Sequence, residues 1–408
     1  MQDNQTADIV VVGAGVLGLS VGCHLLRRDA GRVVVIDSAT PAAATSGAGA
    51  GFVGLWAAGY ADFFTDAELE LEQYGIDYYG RLAEAGALID YRANGNLYLA
   101  TTRDGWESWV EPVLSHRRAP RGTRALSPRE TAEITGGVIA AEALTGAALH
   151  PGGIQISAAR TTRALADRFL AGGGVLRPNT PATRLLTWDD GVTGVRTPHG
   201  DITAARVVLA CGAWTNRLVE PLGYRAPLMR VVATRVVSAP SGVGSTMPTV
   251  MVPDMYGLWL REHRGGLTYG NGDGYAPLFE LDGALGEQGQ PHREELLQRL
   301  DHALTPGLRK LVPDHDTSVD RWLQGVPCMT PDRHFLAGPL PGVPGVHVVT
   351  GDNEAGVTHG PGLGRLMADL VLDGDSSWVD PAPYRLDRFD PAAFPTEQSV
   401  QAAMPARR

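Results

Sequence analysis

The stretch ADIVVVGAGVLGLSVGCHLLRRDAGRVVVIDS, residues 7–38, decides the fold. It reads as strand, turn, helix, strand. Residues 9–12 are a continuous apolar run, the pattern of a parallel strand buried on both faces. Gly13, Gly15 and Gly18 follow, at the spacing that serves a tight turn, backbone approach to a pyrophosphate and close helix–strand packing. Ala14, Val16 and Leu17 complete the turn into a helix. Its unpaired N–H groups and partial positive charge suit phosphate. Residues 33–36 form the second strand, which ends at Asp37 and Ser38. Asp37 stands about 20 residues beyond the last glycine, where a ribose-binding acid is expected. The unit implies a bound dinucleotide and leaves NAD and FAD both open.

The rest of the composition narrows the class. A chain of 408 residues is too long for one simple core and predicts two intimately joined domains. The net charge of -10 argues against nucleic acid as a partner. Cys23, Cys211 and Cys328 are scattered, without the spacing of a metal site, so a reducing, cytoplasmic setting is expected. The N-terminus lacks a basic region and no apolar run is long enough to span a bilayer, so neither a signal peptide nor a membrane partner is expected. Lys310 is the only lysine, which removes that residue from most mechanisms. Neither a GxSxG elbow nor an HExxH motif occurs, and no metal is expected.

Beyond Asp37 the chain reads SATPAAATSGAGAGFVG, small and hydroxylated, with Thr45, Ser46 and Gly47 at its centre. Such a segment can lie flat against a large cofactor. Residues 62–85 carry helical periodicity, residues 95–101 read as a strand, and SPRE at 127–130 is a capping box. The run 149–176 predicts a turn, a helix of about four turns and a glycine stop. Residues 180–186 are then a strand. ARVVLACGAWTNRL, residues 205–218, gives another apolar strand and a turn through Ala210, Cys211, Gly212, Ala213 and Trp214, small enough for the backbone to press on a cofactor. From 227 to 272 short strands alternate with Gly, Pro and charged turns, the signature of an antiparallel sheet. Residues 294–304 predict a helix.

The last signature is TGDNEAGVTHGPGLGRL, residues 350–366, preceded by Thr330-Pro331-Asp332 and two apolar strands. A helix from about residue 361 would aim its N-terminus back at the glycine-rich turn and favour negative charge there. The three signatures, in this order over roughly residues 8–390, resemble the flavoprotein superfamily of D-amino-acid oxidase, glycine oxidase, sarcosine oxidase and dimethylglycine dehydrogenase.

The resemblance implies an α/β fold, with a Rossmann-like FAD-binding domain interleaved with an antiparallel-sheet substrate domain. FAD-binding parts would be 1–90, 150–224 and 325–390; substrate-domain parts would be 91–149 and 225–324; residues 391–408 would be a tail. FAD contacts would fall on the first turn, Asp37 and Ser38, Thr45 to Gly47, Ala182, Ala210 to Gly212, Trp214, Gly351, Asp352, Gly356, Val357 and Thr358. Tyr256, Arg261, Asn353 and Glu354 would face substrate, and Thr358 and His359 would sit nearest the chemistry, His359 as a modifier of amine protonation or as a helix cap.

The departures matter as much. Thr358 occupies the place of a lysine that the monomeric sarcosine oxidases use, and Pro327 the place of an arginine that grips the substrate carboxylate in glycine oxidase. A carboxylate would then fall to Arg261 or Arg333. No histidine between Asp37 and Gly54 offers a flavin linkage, and Cys328 aligns away from the linking cysteine, so non-covalent FAD is implied. The implied activity is oxidation of a C–N bond in an amino acid or a secondary or tertiary amine by hydride transfer to flavin, with O2 or another electron acceptor. Two other readings stay open: an NAD-dependent dehydrogenase and a non-catalytic flavin-binding subunit. The substrate, the acceptor and the oligomeric state are left undetermined.

Overall fold

The computed structural model describes residues 5–54, 65–189, 191–281 and 291–405. Two large sheets organise them. The first runs in space Leu336–Pro339, Val346–Thr350, Gly200–Leu209, Thr6–Val12, Val33–Ile36, Val175–Arg177. Every pairing from Val346–Thr350 across to Val175–Arg177 is parallel; Leu336–Pro339 joins the edge antiparallel. Gly191–Thr197 also pairs with Gly200–Leu209, and Arg184–Trp188 pairs with Gly191–Thr197. Ile9, Val10, Val11, Val33, Val34, Val35 and Ile36 are buried almost completely. Their unbroken apolar runs are what burial on both faces of a parallel strand requires.

The second sheet has ten strands. Its path is Tyr275–Pro277, Met229–Val237, Gly266–Gly270, Leu258–His263, Thr249–Val252, Asn96–Ala100, Gly146–His150, Arg124–Leu126, with Arg321–Gly325 and Cys328–Met329 also on Met229–Val237. The chain enters it from 96 to 150, returns to the first sheet for 175–209, and re-enters for 229–329. One pairing within it is parallel, Asn96–Ala100 with Thr249–Val252.

The helices Val16–Arg27 and Gly356–Asp373 pack on the first sheet and on each other, and Asp66–Glu84 packs on Gly356–Asp373. Thr65 starts Asp66–Glu84 with a capping box, as Ser127 does for Pro128–Ile134. Residues 62–64, where the sequence predicts the Asp66–Glu84 helix to begin, lie outside the described residues.

The final helix starts at Gly356, one turn earlier than the sequence suggested. Gly360, Gly362 and Gly364 therefore lie inside it and act as contact points. A Cβ on Gly360 would be 3.1 Å from Val16 Cγ2, on Gly362 2.7 Å from the Leu71 carbonyl oxygen, and on Gly364 2.6 Å from the Ser20 carbonyl carbon. Hydrogen at Gly362 and Gly364 lets the helices close against backbone, whereas at Gly360 a Cβ would need only the Val16 side chain to give. Pro361 also sits inside this helix and has no N–H for the Val357 carbonyl. The buried hydroxyl of Tyr79 donates to that carbonyl instead, at 2.7 Å.

Candidate active site

The sheet brings the three sequence signatures to one edge. Val346–Thr350, Gly200–Leu209, Thr6–Val12 and Val33–Ile36 are adjacent and parallel, so Gly351, the Cys211–Gly212 turn, Gly13 and Asp37 follow four neighbouring strand ends. In open α/β sheets, ligands bind beyond these carboxyl ends.

At the first signature the backbone is tightly confined. Gly13 has φ +113°, and a Cβ there would run into the Ala210 carbonyl. A Cβ on Gly18 would strike the Gly13 carbonyl, so this glycine sets the distance from helix to strand. Leu17 beside it is buried in the core. No side chain of the Gly15 N-cap satisfies the helix N-terminus. Oxygens from further along the chain do so: Val16 N–H donates to Ser46 Oγ at 3.0 Å and Ala14 N–H to Asp37 Oδ2 at 2.6 Å. Burial holds the Asp37 carboxyl above its ordinary value, opposed by donors from Ala14, Ala39 and Ser38. The loop before Ala182 is hydrogen-bonded to the same segment, Thr180 N–H donating to the Asp37 carbonyl at 2.6 Å.

Thr45, Ser46 and Gly47 form a short helix, Thr45–Ala48. Thr45 Oγ1 donates to the Val326 carbonyl at 3.1 Å and accepts from Val326 N–H at 3.0 Å, which fixes this helix to the strand connection beyond Arg321–Gly325. At the middle signature, Cys211 Sγ donates to the Val12 carbonyl at 3.4 Å, and burial pushes its thiol up to about 12. Gly212 has φ +50° with open space around its Cα, and Trp214 Nε1 is a buried donor without a partner among the described residues.

The last signature turns without relying on glycine alone. Gly351, Asn353 and Glu354 all have positive φ. The Asn353 side chain holds this turn shut, accepting from Thr330 N–H at 3.0 Å and donating to the Gly351 carbonyl at 2.7 Å. The helix that follows has neither a side-chain cap nor an acid in its first turn. Asp352 lies just before it, accepting from Cys328 N–H at 2.9 Å and from Cys328 Sγ at 3.4 Å. Burial, with Glu354 nearby, raises the Asp352 carboxyl to about 6.

These pieces surround one cleft. Val16, Thr45, Ser46, Asp352, Glu354, Gly356 and Val357 line it from the first sheet and its helices. Ala233, Thr234, Arg235, Trp259 and Tyr275 line it from the second sheet, and Gly325 and Pro327 from the connection between them. Two helix N-termini thus open on the same space, the first met by Ser46 and Asp37 and the second without a side-chain cap. Together with the glycine cradle at Gly13 and Gly212 and the orphan Trp214 donor, they fit a dinucleotide with a phosphate-bearing middle and a flat polar ring.

The structure distributes the other expected residues differently. Glu354 reaches the cleft. Tyr256 ends a turn at φ +54° and is 57% exposed, away from it. Arg261 is buried as a strut: its guanidinium donates to the carbonyls of Ala50 (2.7 Å), Glu262 (2.9 Å) and Ile156 (3.4 Å), which leaves it no role as a free anchor. Asn353 faces its own turn. Thr358 and His359 lie within the helix, both buried and neither lining the cleft. The Thr358 carbonyl sits against Gly75 of the neighbouring helix, and His359 packs on Phe335 with ring centroids 5.0 Å apart. The reason is the earlier helix start, which turns positions 358 and 359 back towards the protein. Arg333 has φ +62° and is outside the cleft lining.

Sequence reading missed Arg235 and Trp259. For Arg235 the clue was present: one of two charges inside the apolar run LMRVVATRVV, two positions from Ala233 on the same strand face. Among the described residues, no group of three or more His, Cys, Asp or Glu could hold a metal ion, and no helix is long and apolar enough to cross a membrane.

Comparison with known proteins agrees with this geometry. The family model described as DAO, FAD dependent oxidoreductase, matches residues 8–370. The 4-methylaminobutanoate oxidase (formaldehyde-forming) of Paenarthrobacter nicotinovorans is 28% identical over 91% of this chain and 45% of its own length. The mitochondrial dimethylglycine dehydrogenase of Mus musculus is 25% identical over 95% of this chain and 44% of its own. The chain thus spans about half the length of these curated relatives. The crystal structure of glycine oxidase from Geobacillus kaustophilus superposes with a TM-score of 0.80 at 25% identity, covering 95% of this chain and 100% of that one.

Proposed function

The chain belongs to the family of FAD dependent oxidoreductases, and from that premise we propose that it oxidises a C–N bond of an amino acid or of a secondary or tertiary amine, using non-covalently bound FAD. The observation that carries this reading is the convergence of two helix N-termini, at Val16 and Gly356, on one cleft between the two sheets.

The residues divide the work. The N-terminus of the Val16 helix would face the pyrophosphate, its Ala14 and Val16 N–H groups meeting Asp37 and Ser46, and Asp37 would hold a ribose. Gly356 and Val357, at the second N-terminus, would favour negative charge on the ring. When bound, FAD supplies the acceptor for the hydride leaving the carbon next to nitrogen, and the resulting imine hydrolyses. The neutral amine is the form that can donate. Non-covalent attachment is supported by Cys328: its thiol is buried, pushed up to about 12 and engaged with Asp352, so it is no nucleophile for a flavin.

The interleaved path of the chain through two sheets supports the division into FAD-binding parts at 1–90, 150–224 and 325–390 and substrate parts at 91–149 and 225–324. Three free cysteines suit a reducing compartment such as the cytoplasm. Lys310 belongs to the helix Glu294–Leu311 and does not line the cleft, so O2 use cannot rest on it.

Purified protein should be yellow, release its flavin on denaturation, and lose the oxidised-flavin band anaerobically with an amine from a panel of N-methyl amino acids, D- and L-amino acids and cyclic imino acids. Re-oxidation of the bleached protein by air, against re-oxidation only by an artificial acceptor, separates oxidase from dehydrogenase. A protein that cannot take up FAD ends the proposal.

A further inference from the structure

Arg235 is the only lysine or arginine that lines the cleft among the described residues. It sits on the strand Met229–Val237, where Ala233 and Arg235 face the cleft while Val232 and Val236 are buried behind them. The side chain is half-buried, but its Nε has no contact with solvent and no hydrogen-bond partner among the described residues. No carboxylate forms an ion pair with it there.

The charged groups that act on it are Arg261 and Arg321, both cations, and burial and these neighbours lower its pKa to about 9. A desolvated guanidinium facing other cations is costly unless an anion joins it. Elsewhere the fold provides for such groups. Arg230, on the same strand, pairs with Glu397 at 2.5 Å; Arg388 forks onto Asp332 at 2.8 and 3.0 Å; Arg261 takes three carbonyls. Arg235 is left open, and it opens on the space where a substrate would lie.

We propose that Arg235 binds a carboxylate of the substrate, so that the amine oxidised in this cleft is an amino acid or another amine carrying a carboxylate. This rests on the oxidoreductase reading above and narrows its substrate class. The guanidinium offers a planar fork of donors that matches a carboxylate at two points. The acids Asp352 and Glu354 line the same cleft, so an amine end and a carboxylate end have opposite partners available.

The test uses the flavin-loaded protein and unreactive probes. Acetate, butyrate and benzoate are titrated beside acetamide, butyramide and benzamide, reading both the flavin absorbance and tryptophan fluorescence, since Trp259 lines the cleft. The expected result is carboxylate binding at least about tenfold tighter than amide binding, as charged hydrogen bonds to a buried guanidinium imply. Arg235→Gln should weaken the carboxylates by roughly 10- to 100-fold and the amides less than about twofold. Arg235→Lys should fall between. Equal affinity for acids and amides in the unsubstituted protein overturns the proposal, and needs no variant to fold. So does a parallel loss of both probe types in Arg235→Gln, or loss of FAD with carboxylate affinity retained. If the protein takes no flavin yet its fluorescence still reports carboxylate preference, the role of Arg235 stands and the oxidoreductase reading falls.

Discussion

The helices Val16–Arg27 and Gly356–Asp373 point their N-termini at the same cleft, yet their glycines do different work. At the first, Gly13 and Gly18 hold the turn itself, each lying where a Cβ would meet a carbonyl of the strand ends. At the second, Gly360, Gly362 and Gly364 lie inside the helix and press it against its neighbours, while the turn depends on Asn353 and Glu354 at positive φ. The carboxyls differ too. Asp37 accepts an N–H from the helix turn, whereas Asp352 accepts from the buried Cys328. What the two ends share is a helix N-terminus aimed at the cleft, a feature of backbone placement. Glycine richness marks both without explaining both.

The largest expected effect separates the glycines. Gly13→Ala adds a Cβ against the Ala210 carbonyl at a φ that alanine resists, with strain and overpacking of roughly 1–3 kcal/mol each. Gly360→Ala meets only the side-chain end of Val16, at 3.1 Å, and should cost under about 1.5 kcal/mol. Bound flavin per chain and urea midpoints measure both; equal losses would break the contrast.

Asp352 gives a pH signature at the second end. Burial raises its folded pKa from 3.8 to about 6, so the fold favours the neutral acid. That contribution is complete below about pH 4 and is lost as pH rises through 6. Flavin-free protein should lose on the order of 3 kcal/mol of stability relative to Asp352→Asn between pH 4 and pH 7. Parallel stability profiles for the two proteins would mean that this carboxyl is not desolvated.

Tyr79→Phe tests the proline inside the second helix. It leaves the Val357 carbonyl buried without its donor, at a cost of about 1–3 kcal/mol. Because Val357 lines the cleft, flavin affinity should fall along with thermal stability; loss of stability alone would detach this helix end from the cofactor. The smallest effect belongs to Tyr256→Ala. At 57% exposed, Tyr256 should change stability by no more than about 0.5 kcal/mol and leave kcat/KM unaltered; a lower kcat/KM would return it to the substrate site.

Much of this architecture was legible along the chain. The two-faced burial of residues 9–12 and 33–36, the glycine spacing and the position of Asp37 are local patterns, and backbone sterics and strand period set them within a few residues. The apolar strands before Cys211 and Gly351 are equally local. The residues around the last turn were harder to place. Their sequence could start a helix at 356 or at 361, and the choice decides whether Thr358 and His359 face the cleft or the core. Tyr79, far away in sequence, is what permits the earlier start, because it supplies the hydrogen bond that Pro361 withholds.

The sequence by itself determined the nucleotide-binding unit, the α/β class and the order of three signatures, since each depends on residues near one another in the chain. Only the tertiary structure decided which side chains enter the cleft. Arg261 and Arg235 are both arginines within strands of one sheet, and nothing local distinguishes them. One meets three backbone carbonyls, two of them from Ala50 and Ile156 far away in sequence, and becomes a strut; the Nε of the other has no hydrogen-bond partner among the described residues, which is what our proposal gives to an anion. That distinction depends on long-range contacts and on the desolvation they impose, which no short window of sequence contains.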